Sequence, residues 1–216
     1  MTNTHAVIAS LCLCLSAAAC ETETQNETML VGQWVECGGG DTTWTFGEDG
    51  SFRSDESCTG EGCGEGGNDT VTGTFTTDDT TVHIEGTEAD GSPATIEFSF
   101  YANDTQMVVG AAYPVGEHDG VVGTWESHLR AEDSEDVIGS RSTMVLRDDN
   151  TGTMTQVPFN GNETFNSDGT WGLDEDEENP GGYELEMPQD NYTLSISFQL
   201  IDDAVIGWPQ YCRSAQ

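Results

Sequence analysis

Along most of the chain, apolar and polar residues alternate with a period of two. Ala94, Ile96, Phe98 and Phe100 interleave with Thr95, Glu97, Ser99 and Tyr101, and Tyr192, Leu194, Ile196, Phe198 and Leu200 interleave with Thr193, Ser195, Ser197 and Gln199. Strands with one buried and one wet face produce this pattern. Turn signals punctuate the runs: E-D-G at Glu48 to Gly50, A-D-G at Ala89 to Gly91, D-D-N-T-G at Asp148 to Gly152 and S-D-G at Ser167 to Gly169. Asp, Asn and Gly tolerate the positive φ that tight hairpins require. The best local helix candidate, Ser127 to Val137, is acidic and lacks an apolar stripe. The pattern predicts an all-β protein of short, hairpin-joined strands.

The pattern also occurs twice. V-G-Q-W (Val31 to Trp34) returns as V-G-T-W (Val122 to Trp125), and T-W-T-F-G-E-D-G-S-F (Thr43 to Phe52) is answered by M-V-L-R-D-D-N-T-G-T-M (Met144 to Met154). Gly73 to Phe75 is answered by Gly169 to Trp171, Thr81 to Glu85 by Tyr183 to Met187, Ala94 to Phe100 by Tyr192 to Phe198, and Val108 to Gly110 by Val205 to Gly207. Six landmarks in one order indicate duplication. The units run over 30–115 and 121–213, meeting near Gly116 to Gly120.

A G-x-W near the first strand, a hairpin with an aromatic-x-D-G-x-aromatic turn, then G-T-aromatic and a meander of short strands resembles the bacterial lipocalin-like domains. The resemblance covers Leu30 to Cys212. It implies two small antiparallel up-and-down barrels or half-barrels in tandem. It further implies that Trp34 and Trp125, each following its glycine, Gly32 or Gly123, plug the closed ends. In many lipocalins an Arg from the last strand covers that Trp. The last strand of the first unit has no Arg, and the second offers Arg213. Small barrels of short strands fill with side chains or hold one small ligand. One larger barrel or sandwich made jointly by both units is the competing arrangement.

The first twenty residues contain an apolar run from Ala6 to Ala19 and no acid. Too short to span a bilayer, this run suits the core of a signal peptide. Residues 1–19 resemble a bacterial lipoprotein signal, with Ala17, Ala18 and Ala19 leading into Cys20, the expected acylated N-terminus. Ordinary signal cleavage that leaves Cys20 free or bridged is the other reading. The polar stretch that follows, to residue 29, lacks apolar periodicity and reads as a tether. The expected location is the bacterial cell envelope, at the outer membrane or cell surface, with the acyl anchor as the membrane contact.

Charge narrows the partners. The 216 residues carry 40 Asp and Glu against 5 basic residues, all Arg, for a formal net charge of -35. No basic patch exists to neutralise several phosphates, which excludes nucleic acid as a direct partner. Such a surface repels itself, so the fold is expected to loosen as salt is removed. The acid run Asp174 to Glu178 and the cluster Asp148, Asp149, Asn150 offer hard oxygen ligands for calcium, but neither has EF-hand spacing. The blander reading is a solvated acidic surface.

Of seven cysteines, Cys12 and Cys14 leave with the leader and Cys20 takes lipid, leaving Cys37, Cys58, Cys63 and Cys212 as disulfide candidates in three connectivities. A bridge from Cys212 would tie the C-terminus to the first unit. A metal site is disfavoured by export and by the lack of a nearby His. His83, His118 and His128 stand at no ligand or relay spacing. No G-x-S-x-G, H-E-x-x-H or P-loop occurs, and carboxylates are too numerous to be informative.

These readings lead to a non-enzymatic module without metal or cofactor. An apolar concavity inside a barrel or between the units, lined by Trp44, Phe46, Phe98, Phe100, Ile196 and Phe198, would hold a small hydrophobic ligand or a partner's side chain. The alternative is a structural acidic envelope lipoprotein with weak calcium binding.

Overall fold

A computed structural model describes residues 29–37, 42–56, 69–78, 80–132, 137–174, 181–201, 205–207 and 211–214. The lipidation candidate Cys20, the leader, and the cysteines Cys58 and Cys63 lie outside these residues. Among the described residues 72% are strand and 1% helix, in accord with the period-two pattern. The first eight strands are β1 (Gly32–Glu36), β2 (Thr42–Phe46), β3 (Ser51–Glu56), β4 (Asp69–Asp78), β5 (Thr81–Glu88), β6 (Pro93–Ala102), β7 (Gln106–Val109) and β8 (Tyr113–Pro114). The others are β9 (Gly123–Glu132), β10 (Val137–Leu146), β11 (Thr151–Pro158), β12 (Phe165–Leu173), β13 (Tyr183–Pro188), β14 (Thr193–Ile201), β15 (Val205–Gly207) and β16 (Tyr211–Arg213). Of the rejected helix candidate, Ser127 to Val137, residues 127–132 lie in β9 and Val137 begins β10, while 133–136 lie outside the described residues.

All pairings are antiparallel. Strands β1 to β7 run up and down in order, and β16 inserts between β1 and β7, closing an eight-stranded barrel. Closure is local, because β6 forks. Phe100 to Ala102 pair with Val109 to Met107 of β7, whereas Thr95 to Phe98 pair with Glu132 to Leu129 of β9. From that fork β9 to β15 continue the same sheet as a second up-and-down meander. Strand β8 pairs with the start of β9, at Trp125 and Glu126, and lies beside β15.

The two units thus exchange their ends. Strand β8, which follows β7 in the chain, is laid on the first strand of the second unit; β16, which follows β15, is laid on the first strand of the first. Residues 211–213, assigned from sequence to the second unit, belong to the first barrel. The arrangement combines the two expected ones, since two cores sit within one continuous sheet.

Trp34, Phe46, Val82, Ile84, Phe98 and Met107 are fully buried in the first core, and Trp125, Leu146, Leu185, Met187 and Phe198 form the second. Burying a side chain of this size contributes roughly 1.5–3 kcal/mol. Val108 and Ala111, with Tyr101, Tyr113 and Ile201 against them, form a small third cluster where the units meet.

Local chemistry repeats as the packing does. In the first unit Gly50 (φ 78) closes the β2–β3 turn, and in the second Asn150 (φ 64) closes the β10–β11 turn. Asp49 Oδ1 accepts from the Ser51 amide at 3.0 Å, and Asp149 Oδ1 from the Thr151 amide at 3.0 Å. Hydrogen bonds from these two hydroxyl residues hold both carboxyls below the ordinary Asp range. Gly73 and Gly169 are needed for close approach: a Cβ there would lie 2.0 Å from the Glu85 carbonyl oxygen and 2.1 Å from that of Glu186.

Strand pairing corrects two of the sequence matches. Phe75 lies opposite Ile84, and Trp171 opposite Leu185, so Glu85 corresponds to Glu186 rather than Met187, a slip of one residue. Val82 faces Phe98 and Tyr183 faces Phe198, so Phe98 corresponds to Phe198 rather than Ile196. Alternating runs conceal slips of two residues because every second position looks alike.

Candidate binding site

The G-x-W motif makes the same local contact in both units. Trp34 Nε1 donates to the Leu30 carbonyl at 2.8 Å, and Trp125 Nε1 to the Val121 carbonyl at 2.9 Å. Both indoles are fully buried and each satisfies its polar atom four residues upstream. Over the Trp34 ring lies the Arg213 guanidinium, with Cζ 4.6 Å from the centroid and Nη2 donating to the Met29 carbonyl at 2.6 Å. The covering Arg thus comes from the last strand of the chain, across the exchange. Trp125 is covered by His118 instead, with ring centroids 5.3 Å apart. The motif's glycine makes room at Gly123, whereas at Gly32 (φ 139) it serves the backbone conformation and a Cβ would meet only ordinary contact. A Cβ at Gly32 would sit 3.8 Å from Arg213 Cζ, and one at Gly123 would sit 2.8 Å from His118 Cβ.

The bridge Cys37–Cys212, spanning 175 residues, fixes β16 against the far end of β1, just past Glu36, the strand partner of Tyr211. Three connectivities stood open from sequence, and the structure shows this pair. Tyr211 to Arg213 also form backbone pairs with Glu36 to Trp34.

The end of the first barrel opposite the Arg213 cover is open. Because β7 stops short and β9 replaces it along the outer half of β6, the wall there carries a gap flanked by the β9–β10 hairpin. A concavity of about 480 Å³ occupies this mouth. Its apolar wall includes Trp44, Val71 and Ile96 from the barrel, Tyr211 from β16, and Leu129 and Ile138 from the hairpin. Leu129 is 41% exposed and Ile138 58%, unusual for large aliphatic residues, and both are turned onto this concavity. The ring centroids of Trp44 and Tyr211 lie 5.0 Å apart at a tilt of 33°. Burial, followed by the charges of Glu36 and Glu56, pushes the Tyr211 phenol up to about 12. It is therefore a neutral hydrogen-bonding group at neutral pH.

The six residues expected to line a ligand site separate. Trp44 lines the mouth. Phe46, Phe98 and Phe100 are buried in the first core, and Ile196 and Phe198 belong to the second. Phe46, Phe98 and Phe100 lie deeper in the first barrel than its mouth, and Ile196 and Phe198 belong to β14, which is not part of that barrel. The residues that sequence reasoning missed, Leu129, Ile138 and Tyr211, come from segments that only the fork in β6 and the insertion of β16 bring to the mouth.

A second grouping lies on the outer face of the fork. His83 Nδ1 is 3.0 Å from Glu97 Oε2, and His128 Nε2 is 3.6 Å from Glu97 Oε1. These histidines stood apart in sequence, and strand pairing through β6 brings them to one carboxylate. Burial, opposed by Glu97 and reinforced by Arg141 and His83, holds the His128 imidazole below its ordinary value. Among the described residues no set of three His, Cys, Asp or Glu is arranged to hold a metal ion. Of the residues considered for calcium, Asp149 accepts from Thr151 within its own hairpin turn and Asn150 Nδ2 donates to the Trp171 carbonyl on β12. Residues 175–178 of the acid run lie outside the described residues.

No protein-family model, no curated protein and no solved structure matches this chain significantly.

Proposed function

We propose that this protein is an exported, acyl-anchored lipoprotein of the cell envelope, built from two lipocalin-like units, that binds a small apolar ligand without catalysis. The observation that carries this reading is the 480 Å³ mouth of the first barrel, walled by aromatic and aliphatic side chains. Its volume falls within the range of small-molecule sites, roughly 300–1,000 Å³. The Cys37–Cys212 bridge supports an oxidising compartment, in line with export. The leader ending in Cys20 supports acylation, and two or more chains there would hold the protein on a membrane.

Saturable uptake of an apolar fluorescent probe tests the reading, with Ala131→Trp as the comparison. Ala131 lines the mouth and is not part of either core, so the larger ring fills the concavity while leaving both cores intact. The wild-type chain is expected to saturate, and the variant to bind at least roughly ten-fold more weakly with an unchanged melting transition. Non-saturable uptake, or equal uptake by both, overturns the reading and favours a structural role.

A further inference from the structure

The mouth has an electrical character as well as a shape. Counting inward positions along the strands, Trp44 leads to Thr42 on β2, Phe52 to Ser54 and Glu56 on β3, and Ile84 to Gly86 and Glu88 on β5. Thr42, Ser54, Glu56 and Glu88 all line the concavity at its outer level. The inward alternation that buries aromatic residues deeper in the barrel thus presents carboxylates where the barrel meets water. Glu132 adds a third at the edge, held by Arg130 Nη2 at 2.6 Å. Among the described residues, no Lys, Arg or His lines the mouth.

We infer that the mouth selects a small organic cation: an ammonium or substituted ammonium head carried on an apolar body. This rests on the binding reading above and names the ligand class for the same concavity. The body lies against Val71, Ile96, Leu129 and Ile138. The head sits at the level of Glu56 and Glu88, beside the tilted Trp44 and Tyr211 rings. An aromatic face attracts a cation by about 0.5–2 kcal/mol, most strongly when the cation is partly desolvated. Neutral Tyr211 adds no competing charge. An anionic amphiphile of the same shape would place its head among carboxylates and is disfavoured by like-charge repulsion.

Three probes sharing a phenylbutyl body test this: 4-phenylbutyltrimethylammonium, 4-phenylbutanol and 4-phenylbutanoate. Each is titrated calorimetrically into the purified full chain and into Glu56→Gln/Glu88→Gln. Salt of about 0.5 M shortens the screening length to a few ångströms, so the net charge of the chain cannot mimic a local site. The cation is expected to bind at least roughly ten-fold tighter than the alcohol, and the carboxylate most weakly. In the double variant the cation's advantage is expected to shrink to the few-fold that the Trp44 and Tyr211 rings alone supply, while the alcohol itself is unaffected. Equal binding of cation and alcohol by the wild type overturns cation selection and leaves the apolar-ligand reading standing. A preference that is undiminished in the double variant also overturns it, because Glu56 and Glu88 would then contribute nothing to the selection. Failure of all three probes removes both.

Discussion

Removing the Cys37–Cys212 bridge is expected to lower stability substantially while leaving the folded architecture recognisable. The bridge closes a loop of 175 residues, and on the loop-entropy relation a crosslink of that span disfavours the unfolded chain by about 5 kcal/mol at 25 °C. In the native state β16 keeps further attachments: backbone pairs with β1 and β7, and Arg213 over Trp34. A Cys37→Ser/Cys212→Ser chain should therefore still fold, with a loss of about 3–5 kcal/mol in equilibrium urea denaturation. Deleting residues 211–216 should do more, because the barrel then opens between β1 and β7. Hydrogen exchange supplies the structural readout: amides of β1 and β7 lose protection in the truncated chain and keep most of it in the serine variant. A loss below about 1 kcal/mol in the serine variant would refute the reasoning, since the bridge would then constrain nothing the unfolded chain would otherwise explore.

Other consequences follow from particular contacts. Gly73→Ala and Gly169→Ala should each destabilise by about 2–3 kcal/mol in urea titrations, since each new methyl meets a backbone carbonyl that cannot retreat without breaking its ladder; a small effect at either position would contradict the shared register. Arg213→Ala should cost about 1–2 kcal/mol by the same assay, through loss of the Trp34 ring contact and of the bond to the Met29 carbonyl. Arg147→Ala, on an exposed hairpin, serves as its near-neutral control. For His128 the sign follows from its depressed folded value. The unfolded chain binds the proton more readily, so this residue contributes stability above an ordinary His pKa of about 6.5 that is lost as pH falls below it. The difference between wild type and His128→Gln in melting scans should therefore shrink from pH 7 to pH 5, and a difference that grows on acidification would show that Glu97 dominates instead.

Much of the fold was legible because the forces that build it act locally. Period-two alternation marks one-sided strands, and the turns at Asp49-Gly50 and Asp149-Asn150 carry their own hydrogen bonds, so strand class and these hairpins could be read directly; S-D-G at Ser167 to Gly169 misled, since it lies within β12, where Gly169 pairs with Gly152. Trp34 and Trp125 are both fully buried, each with its indole bond four residues back. The exchange of β8 and β16 was not legible. Two first strands with the same G-x-W pattern offer similar edges, and which end strand joins which depends on packing such as Arg213 on Trp34, a contact between residues 34 and 213 that no local pattern encodes. The candidate site was hidden for the same reason. Trp44 was identifiable as an inward aromatic, but Tyr211, Leu129 and Ile138 reach the mouth only through the fork in β6. Exposed Ile138 looks like any surface aliphatic until β9 is known to replace β7.

The most direct test of the account is native mass spectrometry of the protein extracted from the membranes of its own host, beside the Ala131→Trp variant. The expected spectrum shows a chain beginning at acylated Cys20, with Cys37 and Cys212 joined, and carrying a small molecule that the variant lacks. A chain that is unacylated, or a bound molecule retained equally by the variant, would contradict the claim that an anchored barrel offers its open mouth to a ligand.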